Sequence, residues 1–222
     1  MKVVSGNLKG RSLLSPSNKK IRPTGSRARS MIFNTLNSML KKEGLNLSDL
    51  RVLDCFCGSG SIGIEALSQG AKNVLFLDSS YESLSLTKKN CEKLKLSKKS
   101  LFHHANILDE ISFKYVFDLI FLDPPYGQDV VMKAIKNLYI HKCIKENCFG
   151  VFEVDKKTYI KEENFFKIIK IKKISNSAFF FFQNFLVIIS FQIIFQYRQF
   201  LIQHMLDVRD CIVQKKECFP YL

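Results

Sequence analysis

No aspartate or glutamate occurs in the first 30 residues, although Lys2, Lys9, Arg11, Lys19, Lys20, Arg22, Arg27 and Arg29 do. That stretch holds 8 of the 14 excess positive charges of the 222-residue chain. Basic charge so concentrated is the footprint of a polyanion partner, most simply nucleic acid. The 7 cysteines form no Cys-x-x-Cys pair, and His103, His104, His141 and His204 are scattered, so nothing argues for a metal site. An odd set of unpaired thiols fits a reduced, cytoplasmic setting. The start, Met1-Lys2-Val3-Val4-Ser5-Gly6, lacks the long apolar core of a signal peptide, so export is not expected.

What is present is an alternation of short apolar runs and helical stripes, the pattern of an α/β doubly wound sheet. Residues 2 to 14 alternate around glycines and predict a small hairpin or extended arm. Ile32, Phe33, Leu36, Met39 and Leu40 recur at helical spacing and predict a helix over 26–42, with the basic residues near its start. Strands are expected at 51–55, 73–78, 101–104, 117–122 and 149–154, with a closing hairpin of 165–173 and 178–182 around Ser175-Asn176-Ser177. Helices are expected over 80–94 and 129–138. The organisation reads as a basic, nucleic-acid-contacting arm and helix over 1–44, a core over 45–182, and an apolar extension over 183–222. No charged residue falls between Ser175 and Tyr197, the lower limit of a membrane span. Gln183, Asn184, Gln192 and Gln196 oppose that role, so no stable membrane partner is expected, and the chain is expected to be a monomer.

Two stretches carry chemistry. Gly58, Gly60 and Gly63 fit Gly-x-Gly-x-x-Gly between a strand and a helix, where backbone can approach a cofactor at a helix N-terminus. Ser59 lies within that turn. Asp78 ends the next strand 20 residues after Gly58, placed to grip a ribose diol. Asp54 ends the first strand, where it would repel a pyrophosphate and welcome a cation; this favours S-adenosyl-L-methionine over a dinucleotide. Asn106 follows the third strand and serves either an adenine edge or a turn. The second stretch is Asp123-Pro124-Pro125-Tyr126, closing the run Phe117 to Leu122. Two prolines end the strand and leave rigid carbonyls. A carboxylate, a carbonyl and an aromatic ring then converge, a set suited to a flat molecule carrying an amino group.

With these residues in view the chain resembles the bacterial 16S rRNA guanine-N2 methyltransferases of the RsmD type, within the class I S-adenosylmethionine-dependent methyltransferases. The resemblance is carried by Ser5-Gly6 with Lys9-Gly10-Arg11, Arg22-Pro23-Thr24, Arg27 to Asn34, Asp54 to Gly63 with Glu65-Ala66-Leu67, and Asp123 to Tyr126, and covers roughly residues 1–182. It implies a seven-stranded sheet of order 3-2-1-4-5-7-6 with the last strand antiparallel, and a base-modifying enzyme acting on 16S rRNA in the assembling small ribosomal subunit. Ser30, Cys55, Cys57 and Asp78 depart from the usual residues of that family. The residues alone also admit a DNA adenine-N6 methyltransferase or a non-catalytic RNA-binding assembly factor. Lys9, Arg11, Arg22, Arg27 and Arg29 are the expected RNA contacts.

Overall fold

Near-continuous apolar runs are what strands need when both faces of a sheet are covered. The computed structural model, which describes residues 1–15, 25–125 and 128–184, bears this out. The strands are β1 (Arg51–Cys55), β2 (Asn73–Asp78), β3 (Ser100–His104), β4 (Phe117–Leu122), β5 (Ile144–Asp155), β6 (Phe166–Ile174) and β7 (Ser177–Asn184). They form one seven-stranded sheet of order β3-β2-β1-β4-β5-β7-β6. The first five strands pair in parallel, and β7 runs antiparallel to both β5 and β6.

Among the described residues four α-helices cover the sheet: α1 (Ser26–Lys42), α2 (Ser61–Ser68), α3 (Tyr81–Lys93) and α4 (Gln128–Ile140). The stripe Ile32, Phe33, Leu36, Met39 and Leu40 of α1 is buried, with α2 and α3, against one face; Val131, Ala134, Ile135 and Leu138 of α4 pack on the other. Each of these side chains larger than alanine contributes roughly 1.5–3 kcal/mol by leaving water. Successive strand residues enter opposite cores. In the Phe179–Phe182 run, Phe179 and Phe181 join the α1–α3 side while Phe180 and Phe182 join the α4 side. Phe180 stacks on Phe152 at 5.0 Å, and a Cβ on Gly150 would strike the Phe182 ring at 2.1 Å.

Arg29 meets Glu65 and, further along both helices, Asn37 meets Gln69, so α1 and α2 run in the same direction. α1 therefore begins at the carboxyl edge of the parallel strands, where open α/β sheets place their ligands.

Three expectations need correction in detail. β5 starts at Ile144, ahead of the expected Phe149, because its first turn of chain is polar: Lys145, Glu146 and Asn147 are exposed, and Asn147 has φ 61°. The arm is not a regular hairpin but one antiparallel bridge, Lys2 to Ser12, around a 3-10 turn at Gly6–Leu8. Val3 and Leu13 are buried in the core, so the arm is docked. β7 runs on through Gln183 and Asn184; the rest of the expected extension lies outside the described residues. Among the described residues no helix is long and apolar enough to cross a membrane.

Candidate active site

β1 leaves the sheet through a turn with three positive φ angles: Phe56 at 58°, Gly58 at 55° and Gly60 at 74°. Phe56 pays for this conformation in strain, being bulky, and nothing in the sequence pattern signals it. The glycines have separate reasons. A Cβ on Gly60 would lie 2.5 Å from the Thr87 methyl, and one on Gly63 would lie 2.3 Å from the Phe76 ring. Gly63 thus lets α2 press on the sheet, while Gly60 lets the turn press on α3. From α3, Thr87 Oγ1 donates to the Gly58 carbonyl at 3.0 Å and Asn90 Nδ2 donates to the Ser59 carbonyl at 3.0 Å. Ser59 is itself buried.

Three carboxylates converge at the ends of adjacent strands. Asp54 of β1 pairs in register with Phe76 of β2 and Phe121 of β4, so Asp78 and Asp123 each lie two positions further on. Asp78 accepts from the Gly58 N–H at 2.9 Å and from the Ser80 N–H at 2.8 Å, one bond to each oxygen. Each oxygen keeps a lone pair for another donor, which fits a ribose diol. Asp54 is buried and accepts from the Gly63 N–H at 2.9 Å. Burial above all pushes its carboxyl well above the ordinary range; the Gly63 N–H pulls it down, and Asp123 and Asp78 push it up again. A pyrophosphate brought to this trio would be repelled, whereas the ammonium and sulfonium of S-adenosyl-L-methionine would be welcomed. The residues present fit that cofactor.

Asp123 is half-buried, Pro124 is buried and Pro125 is exposed, directly after β4. Tyr126 lies outside the described residues, as does Arg22. Asn106 is exposed beyond β3 and forms a turn: its Oδ1 accepts from the Leu108 N–H at 3.1 Å and its Nδ2 donates to Asp109 at 3.2 Å.

Lys9, Arg11 and Arg27, expected as RNA contacts, are exposed. Arg29 is not: it is 1% exposed, its Nη1 lies 3.4 Å from Glu65 Oε2, and its Nη2 donates to the Lys2 carbonyl at 2.9 Å. Its place on the inner face of α1 removes it from the exposed set. Sequence reasoning also missed what Glu65 does. This carboxylate accepts from the Val4 N–H at 2.9 Å, the Ser5 N–H at 2.7 Å and the Ser5 hydroxyl at 3.0 Å, tying the arm to α2. The signal was an acidic residue inside a helix whose every residue is buried. Asn90 ties the arm's other end, accepting from the Leu14 N–H at 2.7 Å.

Residues 1–183 match the family described as Conserved hypothetical protein 95. The chain belongs to that family. A Buchnera aphidicola protein named ribosomal RNA small subunit methyltransferase D is 35% identical over 78% of this chain and 87% of its own length. One of the same name from Haemophilus influenzae is 32% identical over 74% of this chain and 84% of its own. Among solved structures, a Haemophilus influenzae protein proposed to be a methylase superposes with a TM-score of 0.68 at 27% identity, covering 83% of this chain and 98% of that one. An Escherichia coli protein, 22% identical, shares the fold with a TM-score of 0.71, covering 84% and 98%. This Conserved hypothetical protein 95 chain is accordingly a class I methyltransferase, and its cofactor is S-adenosyl-L-methionine.

Proposed function

We propose that this enzyme methylates the exocyclic N2 of a guanine in the 16S rRNA of the small ribosomal subunit or its assembly intermediate. The observation that carries the reading is the seating of Asp123-Pro124 at the end of β4, beside the cofactor carboxylates Asp54 and Asp78. The basic arm docks on α2, which opens at that same edge. The names of the curated relatives point to the same substrate.

When bound, S-adenosyl-L-methionine supplies an electrophilic methyl group. The chain's own work is positioning. Asp78 orients the ribose; Asp54 and the Gly58–Gly60 turn hold the amino-acid end. An exocyclic guanine amine is a poor nucleophile because its lone pair is delocalised into the ring. Asp123 and the Pro124 carbonyl accept its two hydrogens, which lets the nitrogen pyramidalise and free that lone pair. Alignment of bound reactants supplies on the order of 7–11 kcal/mol of such a barrier. Asp123 stabilises positive charge developing on nitrogen and passes the proton on. Tyr126 stacks on a base that has left its RNA neighbours.

The deciding assay offers labelled cofactor with unmethylated small subunits, free 16S rRNA and duplex DNA in parallel, followed by nucleoside mass spectrometry. N2-methylguanosine in a ribosomal sample is expected; N6-methyladenine in DNA alone, or no transfer at all, would sink the reading. Asp123→Ala should lower transfer by about 100-fold or more while cofactor affinity holds. Near-normal transfer would remove Asp123 from the catalytic role.

A further inference from the structure

The start of α1 gathers donors that nothing in the described chain accepts. The opening N–H groups of a helix have no acceptor within it. Here Gly25, in the capping position, has no side chain to offer, the first turn holds no acidic residue, and the first helical bond is Arg29 N–H to the Gly25 carbonyl. An independent observation points the same way. Arg29 spends Nη1 on Glu65 and Nη2 on the Lys2 carbonyl, while its Nε, buried, has no partner among the described residues. Met1 to Val4, Gly25, Ser26 and Arg29 line a cavity of about 470 Å³. Lys2 and Arg27 stand exposed beside it. The helix dipole adds positive potential at the same point, and the apolar walls of Met1 and Val3 strengthen it.

We infer that this cavity seats one phosphate of the RNA backbone, held by the opening N–H groups of α1 and by Lys2, with the Arg29 guanidinium in its wall turning its unpartnered Nε–H toward the anion when it binds. The inference takes the anion's identity from the RNA-substrate reading above and adds to it a contact made from within the fold. It also gives Arg29 a part in RNA binding that its burial denied it as a surface residue. The seat lies at the carboxyl edge of the sheet, where α1 begins, so the bound strand is led toward Asp123.

Gly25 provides the test, because its φ is −61° and a Cβ built there meets nothing within 4 Å. Gly25→Asp and Gly25→Asn each install a cap that takes the same N–H groups from inside the protein. Thermal stability should hold or rise slightly, since Asn and Asp cap at least as well as glycine. Fluorescence anisotropy with a short, mixed-sequence, single-stranded RNA over a potassium chloride series then reads the phosphate contact. Affinity should fall about tenfold, the loss of one charge-assisted contact. The slope of log K against log salt should become shallower by about 0.7, the value of one phosphate on a single strand. Cofactor affinity by calorimetry should not move.

Unchanged RNA affinity and slope in both variants would overturn the inference. So would an effect confined to Gly25→Asp, which is charge repulsion alone, or a fall in cofactor affinity in place of RNA affinity, which would give the seat to the cofactor's carboxylate. Absence of RNA binding by the unaltered protein overturns it as well. Because the probe reads the backbone, a slope change without methyl transfer to 16S rRNA would remove only the proposed substrate.

Discussion

If Asp54 takes the cofactor-holding role proposed for it, cofactor binding depends on pH in a definite direction. The groups facing it are Asp78, Asp123, the Gly63 N–H, and the thiols of Cys55 and Cys57, which burial keeps protonated. Burial, with Asp123 and Asp78 adding to it, holds Asp54 toward its neutral form. Its folded pKa lies above its unfolded one, so its contribution to stability is complete below about pH 3.9 and is lost as pH rises through the folded value. A bound sulfonium or ammonium favours the carboxylate and expels the proton. Cofactor affinity should therefore climb as pH rises from the ordinary carboxylate range toward the raised value, by up to about tenfold per pH unit. Calorimetry in two buffers of different ionisation enthalpy should register proton release over that window. In Asp54→Asn both the release and the slope should vanish. A flat affinity profile in the unaltered protein would show Asp54 ionised before binding.

At the scale of elements, packing against a neighbour decides what local pattern leaves open. The bounds of α1, β1, β2 and β4 were legible because a helical stripe or an unbroken apolar run marks them. The opening of β5 was not, since its exposed Lys145, Glu146 and Asn147 look like loop until pairing with β4 is known. The run Phe179 to Phe182 read as a strand, but which rings face which helices depends on partners far along the chain. The third glycine of the Gly-x-Gly-x-x-Gly stretch is the sharpest case, because sequence suggested a cofactor approach and the structure assigns Gly63 to packing. Its hydrogen faces Phe76 and Val74 across the α2–β2 contact. Gly63→Ala should therefore destabilise the fold by about 1–3 kcal/mol, the ordinary cost of overpacking. Urea titration should show a lower midpoint with an unchanged slope. Adding Phe76→Leu should recover part of the loss, so the two effects are not additive. Full additivity would mean that the helix moves aside without using the Phe76 ring.

Across the whole molecule, a single buried carboxylate joins the basic arm to the sheet-bearing core. The glycine turn after β1 and the Asp123-Pro124 turn after β4 were legible as turns because each is contiguous in sequence. The link between arm and core was not, since it joins Glu65 to residues 36 to 61 positions away. Glu65 holds the arm by its backbone and neutralises Arg29, whose pKa desolvation lowers and Glu65 raises. Ser68 and Asn90 fasten Leu8 and Leu14, and Asn90 also holds the cofactor turn through Ser59. Arm and core should therefore open as one cooperative unit. In the unaltered protein, amide exchange at Val4, Ser5, Leu8 and Leu14 should be as slow as in β1 and β4. Glu65→Ala strands a buried cation and should cost about 3–5 kcal/mol, with protection lost first at Val4 and Ser5. Glu65→Ala with Arg29→Met should cost less than Glu65→Ala alone, since no unpaired charge then remains inside. If instead the double variant loses the sum of the single effects, Glu65 acts on the arm only through its bonds to Val4 and Ser5, and the ion pair contributes nothing to holding the basic arm against the core.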